Sequence, residues 1–248
     1  MLTRREVTLG GLLTVGFIPM CACAAQSPSL GGCVISDQRF AMMVGSRSAS
    51  FAFNFDKDAV QNGSGNKDFD RALALTLSKL TDVFDVLPGF AFYNGGQESS
   101  NAFAHPSDLL GGHNGSVLFG LRLFNELMLS PDSPEVGVAS VCAHEFGHIL
   151  QFKKNLGRLD GGTTKRELHA DYLAGYFAGI RKKERLNFPA AVFALTQHTY
   201  GDRPLAPPSH GTPDQRGNAV VAGFEAAFRQ RKSLSEAFEE GIRWVQAY

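Results

Sequence analysis

This chain has no surplus of charge of either sign: 24 lysines and arginines stand against 24 aspartates and glutamates in 248 residues. A balanced chain lacks the long-range field that gathers nucleic acid, and no basic run interleaved with aromatics replaces it, so no nucleic-acid partner is expected. No internal repeat is visible. An apolar run able to span a bilayer is missing too, because Leu9 to Met20 is too short and too rich in glycine to cross as a stable helix. Cysteine is scarce, at four residues. What is present, 44% hydrophobic and 19% charged residues, suffices for one compact domain with a full core, and the 20 phenylalanines read as part of that core.

The same short apolar run follows Thr3-Arg4-Arg5-Glu6-Val7-Thr8-Leu9, an arrangement that fits a twin-arginine export signal; a Sec signal with two basic residues gives the same exported outcome. Ala22-Cys23-Ala24 and Cys23-Ala24-Ala25 both resemble small-residue cleavage sites. The reading is a signal peptide over 1–25, a linker over 26–33 and a single domain over 34–248, placed in the periplasm or cell envelope. A lipoprotein is the competing reading: Leu30-Gly31-Gly32-Cys33 resembles a lipobox, although Gln26-Ser27-Pro28-Ser29 interrupts the apolar run that should precede it. A lipid anchor is thus the only membrane association expected. After cleavage Cys33 and Cys142 remain in an oxidising compartment where they could pair, while Cys142 also reads as a small buried residue.

The densest chemistry lies in His144-Glu145-Phe146-Gly147-His148. On a helix, positions i and i+4 differ by about 40° around the axis, so His144 and His148 project from one face, one turn apart, as two ligands of a tetrahedral ion would. Glu145 is offset by about 100°, near enough to reach a water on the metal yet poorly placed to bind the metal itself, and reads as a general base. Ser133-Pro134-Glu135 supplies an N-cap, an N1 proline and a first-turn acid ahead of Val136, Val138, Val141, Ile149 and Leu150, so the motif falls about three turns into a helix with a buried face. Two histidines and a glutamate there would be costly without a use.

A catalytic zinc needs a third protein ligand. A metzincin-type continuation is excluded by Gln151 and Lys154. The next candidate is Glu167-Leu168-His169-Ala170-Asp171, separated from the first motif by Asp160-Gly161-Gly162, which allows a turn and a second helix. Glu167 and Asp171 share one face, so Glu167 can bind the metal while Asp171 hydrogen-bonds the outer nitrogen of a ligating histidine. Thr164-Lys165-Arg166-Glu167 also fits a capping box, in which Glu167 would only satisfy a backbone N–H. His169 lies about 200° from Glu167 and is expected to be structural. His105, His113 and His198 are the remaining candidates for a third ligand.

The HExxH helix, the Glu-Leu-x-Ala-Asp helix with Gly175 beyond it, and His210-Gly211-Thr212-Pro213-Asp214-Gln215-Arg216 together resemble, over roughly 117–230, the bacterial neutral zinc metallopeptidases, HExxH gluzincins similar to M48-type peptidases. The resemblance implies one Zn2+ per chain on His144, His148 and Glu167, with Glu145 as the base. It also implies that His210 meets the oxyanion formed when water attacks, the alternative being a histidine that only packs the loop before the helix; Thr212 and Gln215 read as a capping box that anchors this segment, and Arg216 is expected to hold it through a carboxylate. A peptide or protein substrate would add as an extended strand to a sheet edge beside the metal. Val117 to Leu121 is the expected edge, with a central core strand as the alternative.

Elsewhere, apolar spacing predicts a helix over 68–87, a strand over 90–93, a long glycine-rich loop over 95–115, a strand over 116–124, and helices over 189–199, 212–231 and 233–247. Residues 40–55 read as loop and short strand. The expected fold is α+β and mainly helical, a zincin-like domain with a small sheet. The expected function is an exported zinc-dependent peptidase that hydrolyses peptide bonds through a zinc-bound water activated by Glu145. Two other classes stay open: a non-catalytic zinc-containing envelope binding or scaffolding protein, and a zinc amidase acting on a cell-wall peptide.

Overall fold

The structure is a computed structural model that describes Val34, 60–95, 99–157, Leu159, 162–202 and 209–248. The expected signal peptide and linker, the reading of 40–55 and Cys33 lie outside the described residues. The fold is α+β and mainly helical, with seven helices among the described residues around a small mixed sheet.

Helix α1 (Lys67–Phe84) starts where the Asn66 side chain accepts the Phe69 N–H at 3.1 Å, with Asp68 and Asp70 in its first turn facing the positive end of the helix dipole. It stops three residues before the expected end because Asp85 turns left-handed, closing the cap ahead of Pro88.

The sheet contains β1 (Val60–Gln61), β2 (Gly89–Tyr93), β3 (Ala102–His105) and β4 (Ser116–Gly120) in the order β1-β2-β4-β3. Strand β4 runs parallel to β2 and antiparallel to β3, with Val117 opposite Phe90 on one side and Ala104 on the other. It is therefore central, and the expectation that Val117 to Leu121 forms the sheet edge is corrected. The outermost strand beyond it is β3, which was expected to be loop; its four residues are buried, and Ala104 takes an isolated parallel bridge to Val34. The strand expected over 116–124 is shorter: the chain turns at Gly120 into α2 (Leu121–Leu127), whose Leu123, Phe124 and Leu127 follow helical spacing into the core.

The central layer is α3 (Pro134–Lys153) and α4 (Thr163–Glu184). Both are buried around nearly their whole circumference, α3 from Val136 to Gln151 and α4 from Glu167 to Gly179, because α1, the sheet and the C-terminal helices surround them. Those outer helices are α5 (Ala191–Thr199), α6 (Pro213–Phe228) and α7 (Leu234–Gln246). Reciprocal capping boxes start α6 at Thr212 and Gln215 and α7 at Ser233 and Glu236. Helices α4 and α6 touch backbone to backbone: a Cβ on Gly175 would run into the Val220 carbonyl, and one on Gly223 into the Tyr172 carbonyl. This close crossing sets Arg216, at the start of α6, against Asp171 on α4.

Candidate metal centre

Helix α3 carries both histidines of the HExxH motif and α4 carries Glu167, and the crossing of the two helices brings them to one point. His144 Nε2 lies 3.1 Å from His148 Nε2 and 3.2 Å from Glu167 Oε2, while His148 Nε2 lies 3.4 Å from the same carboxylate oxygen. All three side chains are buried. A tetrahedral ion with bonds of about 2.0–2.2 Å separates its ligand atoms by about 3.3–3.6 Å, within a few tenths of an ångström of these spacings.

The outer nitrogens decide what the inner ones offer. His144 Nδ1 lies 2.7 Å from Asp171 Oδ1, an atom that can only accept, so the ring donates there and its Nε2 is the nitrogen left to face inward. His148 Nδ1 lies 2.9 Å from Gln151 Oε1 and donates in the same way. Two inward-facing Nε2 atoms and a carboxylate oxygen thus meet, a repulsive arrangement unless a proton or a metal ion sits among them.

Charge within the cluster points the same way. Glu167 and Asp171 are two carboxylates against one guanidinium, Arg216, which binds Asp171 through Nε at 2.7 Å and Nη2 at 2.9 Å. Burial opposes both carboxylates. Even so, the imidazoles of His148 and His144, with His210 nearby, hold Glu167 well below the usual carboxylate range, and Arg216 and His144 hold Asp171 down. Burial would also discharge His144, yet Asp171 and Glu167 outweigh it and raise that imidazole to about 10. His148 moves the other way, pushed down by burial against the pull of Glu167. The cluster thus favours one positive charge among its ligand atoms, carried as a proton on His144 when no ion is bound, and two imidazoles with one carboxylate are a donor set suited to zinc.

Glu145 and His210, with Asn101 and Tyr200, line a small pocket that His144 also faces. Asn101 immediately precedes β3, so the outermost strand starts at this pocket. His210 is buried and held by its neighbours: its backbone N–H donates to Asp202 Oδ2 at 2.9 Å, and its Nδ1 lies 2.8 Å from Ser209 Oγ. Asp202 also accepts the N–H groups of Ser209 and Gly211, at 2.7 and 2.9 Å. Burial would raise its pKa, but these bonds and His210 hold it well below the usual range.

No family model, curated protein or solved structure matches the chain. The resemblance of its three motifs to neutral zinc metallopeptidases rests on the residues themselves.

Several expectations change. Glu167 is not a capping-box residue: α4 begins after Gly162, no side chain caps it, and the Glu167 carboxylate points at the two imidazoles. Ser133 stands at the N-cap of α3 but makes no side-chain cap bond, leaving Pro134 as the working start signal. Arg216 holds the Asp171 carboxylate on α4, while the His210 segment it was expected to hold is gathered by Asp202. His105 is buried on β3, His113 is exposed, and His198 is exposed beside Asp214; none joins the trio, which is the one His/Cys/Asp/Glu group found to suit a metal among the described residues. Cys142 is fully buried and its thiol is pushed up by burial. Asn101, Gln151, Gln197, Tyr200 and Asp202 were not foreseen as parts of the site, because their partners lie far along the chain or on other elements.

Proposed function

We propose that the chain is an exported zinc-dependent peptidase, acting in the periplasm or cell envelope, in which His144, His148 and Glu167 hold one zinc ion and Glu145 is the general base. The observation that carries this reading is the convergence of two imidazole Nε2 atoms and a carboxylate oxygen, at 3.1 to 3.4 Å, beside a pocket that Glu145 and His210 share. Zinc, when bound, supplies a Lewis acid that acidifies water and polarises a carbonyl. The remaining work belongs to side chains. Glu145 takes a proton from the attacking water and delivers it to the leaving amine. His210 donates a hydrogen bond to the oxygen that gains charge. Asp171 fixes the His144 ring through its outer nitrogen, and Arg216 neutralises Asp171.

The test is metal analysis of the purified mature protein together with cleavage of a peptide library, with and without a chelator. Glu145→Gln keeps the shape but cannot accept a proton, so it should retain one zinc per chain and lose about 100- to 10,000-fold in turnover. Full activity in that variant sinks the mechanism, and absence of bound zinc in the wild-type protein sinks the site.

A further inference from the structure

His148 is tied to the C-terminal helix through two side chains outside the ligand set. Gln151 sits one turn beyond it on α3 and accepts the His148 Nδ1–H at Oε1, 2.9 Å away. Gln151 Nε2 faces two acceptors, Arg166 O at 2.9 Å and His169 Nδ1 at 3.0 Å. On the far side of its ring, His169 Nε2 lies 3.0 Å from Phe238 O on α7. His148, Gln151 and His169 are fully buried.

The proton directions along this chain have one consistent solution. Phe238 O is a carbonyl and only accepts, so His169 carries its proton on Nε2 and presents a lone pair at Nδ1. The Gln151 amide then spends one N–H on that lone pair and the other on Arg166 O. Flipping the amide would set Oε1 against two acceptors, so Oε1 is left facing His148. His148 Nδ1 must therefore donate, and its Nε2 lone pair is aimed at His144 and Glu167. The carboxylate Asp171 does this for His144; His148 has no carboxylate at its outer nitrogen and uses a neutral relay instead.

We propose that Gln151 and His169 are positioning residues for the metal, transmitting to His148 a tautomer set by a backbone carbonyl of α7. This role presupposes the zinc site proposed above. It makes α7, which contains none of the three motifs, part of the metal centre. It also gives His169, whose place on α4 turns it away from Glu167, a function in that direction.

The experiment measures zinc affinity of the full mature chain by competition with a chromophoric chelator, for wild type, Gln151→Leu and His169→Leu, with circular dichroism to establish folding. Loss of partners behind a ligating histidine weakens metal binding about 10- to 100-fold, and that loss is expected in both variants. Folded variants that bind zinc within twofold of wild type overturn the proposal. A second measurement needs no variant: nitrogen-15 spectra of wild-type protein should show His169 neutral with its proton on Nε2 and His148 protonated on Nδ1, and a proton on His169 Nδ1 overturns the relay. Failure of the wild-type chain to bind zinc would remove the metal site itself, whereas tight zinc binding with unaltered variants removes only the relay.

Discussion

Arg216 grips Asp171 through two nearly parallel bonds, Nε to Oδ2 at 2.7 Å and Nη2 to Oδ1 at 2.9 Å, and the same Oδ1 accepts the His144 Nδ1–H at 2.7 Å. The guanidinium reaches two further acceptors: Nη1 donates to Tyr200 O at 2.9 Å, and Nη2 also donates to Gln197 Oε1 at 2.6 Å. A planar fork of this kind joins α4, α5 and α6 behind the metal centre, a task a lysine cannot perform.

Removing both partners of this buried pair should cost less than the two separate removals added together. Arg216→Met leaves the Asp171 carboxylate uncompensated in the interior and should lower stability by about 3–5 kcal/mol. Asp171→Ala should weaken zinc binding about 10- to 100-fold through the freed His144 ring. The double variant Asp171→Ala/Arg216→Met should be less destabilised than the sum of the two single changes, read from urea unfolding of the metal-free protein; strict additivity would show that the pair is not coupled.

Glu167 separates a ligand from an ordinary buried acid. Glu167→Ala should abolish stoichiometric zinc while the helix survives, since the N-cap of α4 is Gly162 and Glu167 takes no part in it. Elemental analysis after dialysis checks this, and a variant that keeps one zinc per chain would move the third ligand elsewhere.

Periodicity and short-range spacing carried much of this fold into view. The apolar repeat of α1, the HExxH geometry on α3, the Glu167 and Asp171 pair and the capping box at Thr212 are all contained within a few turns of chain. β3 was hidden because Ala102-Phe103-Ala104-His105 has little strand propensity and lies among glycine, serine and asparagine; it forms only because β4 pairs with it and buries it. The central place of β4 was equally hidden, since strand order depends on pairings that residue alternation does not encode. Gln151 was legible only as the residue that excludes a different zinc class: its partner His148 is three residues back on the same helix, but Arg166 and His169, which orient its amide, are 15 and 18 residues away. Asp202 gave no signal, as its use depends on the chain returning to it seven to nine residues later.

The backbone contact between α4 and α6 should be intolerant of a methyl group. Gly175→Ala places a Cβ against the Val220 carbonyl, so the helices must separate, at a cost of about 1–3 kcal/mol of the kind that overpacking brings. The separation draws Arg216 from Asp171, so zinc affinity should fall along with the melting temperature. Gly217→Ala on the partner helix α6, where the nearest atoms lie at 3.7 Å or beyond, serves as the control and should change neither. Equal behaviour of the two variants would break the link between this crossing and the metal centre.

His210 and Asp202 together test the pocket side of the site. His210→Ala removes a donor proposed to meet the developing oxyanion, so it should retain zinc and lose about 100- to 1,000-fold in kcat with little change in KM. Asp202→Asn leaves His210 in place chemically but removes the carboxylate that gathers the N–H groups of Ser209, His210 and Gly211, so kcat should fall by a smaller factor as the loop loosens. The pH dependence has a definite sign. Because the folded-state pKa of Asp202 lies below its ordinary 3.8, its contribution to stability is present above that value and is lost as the pH falls below it. The Asn variant has no such group, so its stability at neutral pH should be lower and its decline between about pH 4 and 2 shallower than that of wild type, read from urea midpoints across that range. Parallel acid limbs would show that Asp202 does not hold the loop, and a His210→Ala variant with near-normal kcat would return His210 to a packing role.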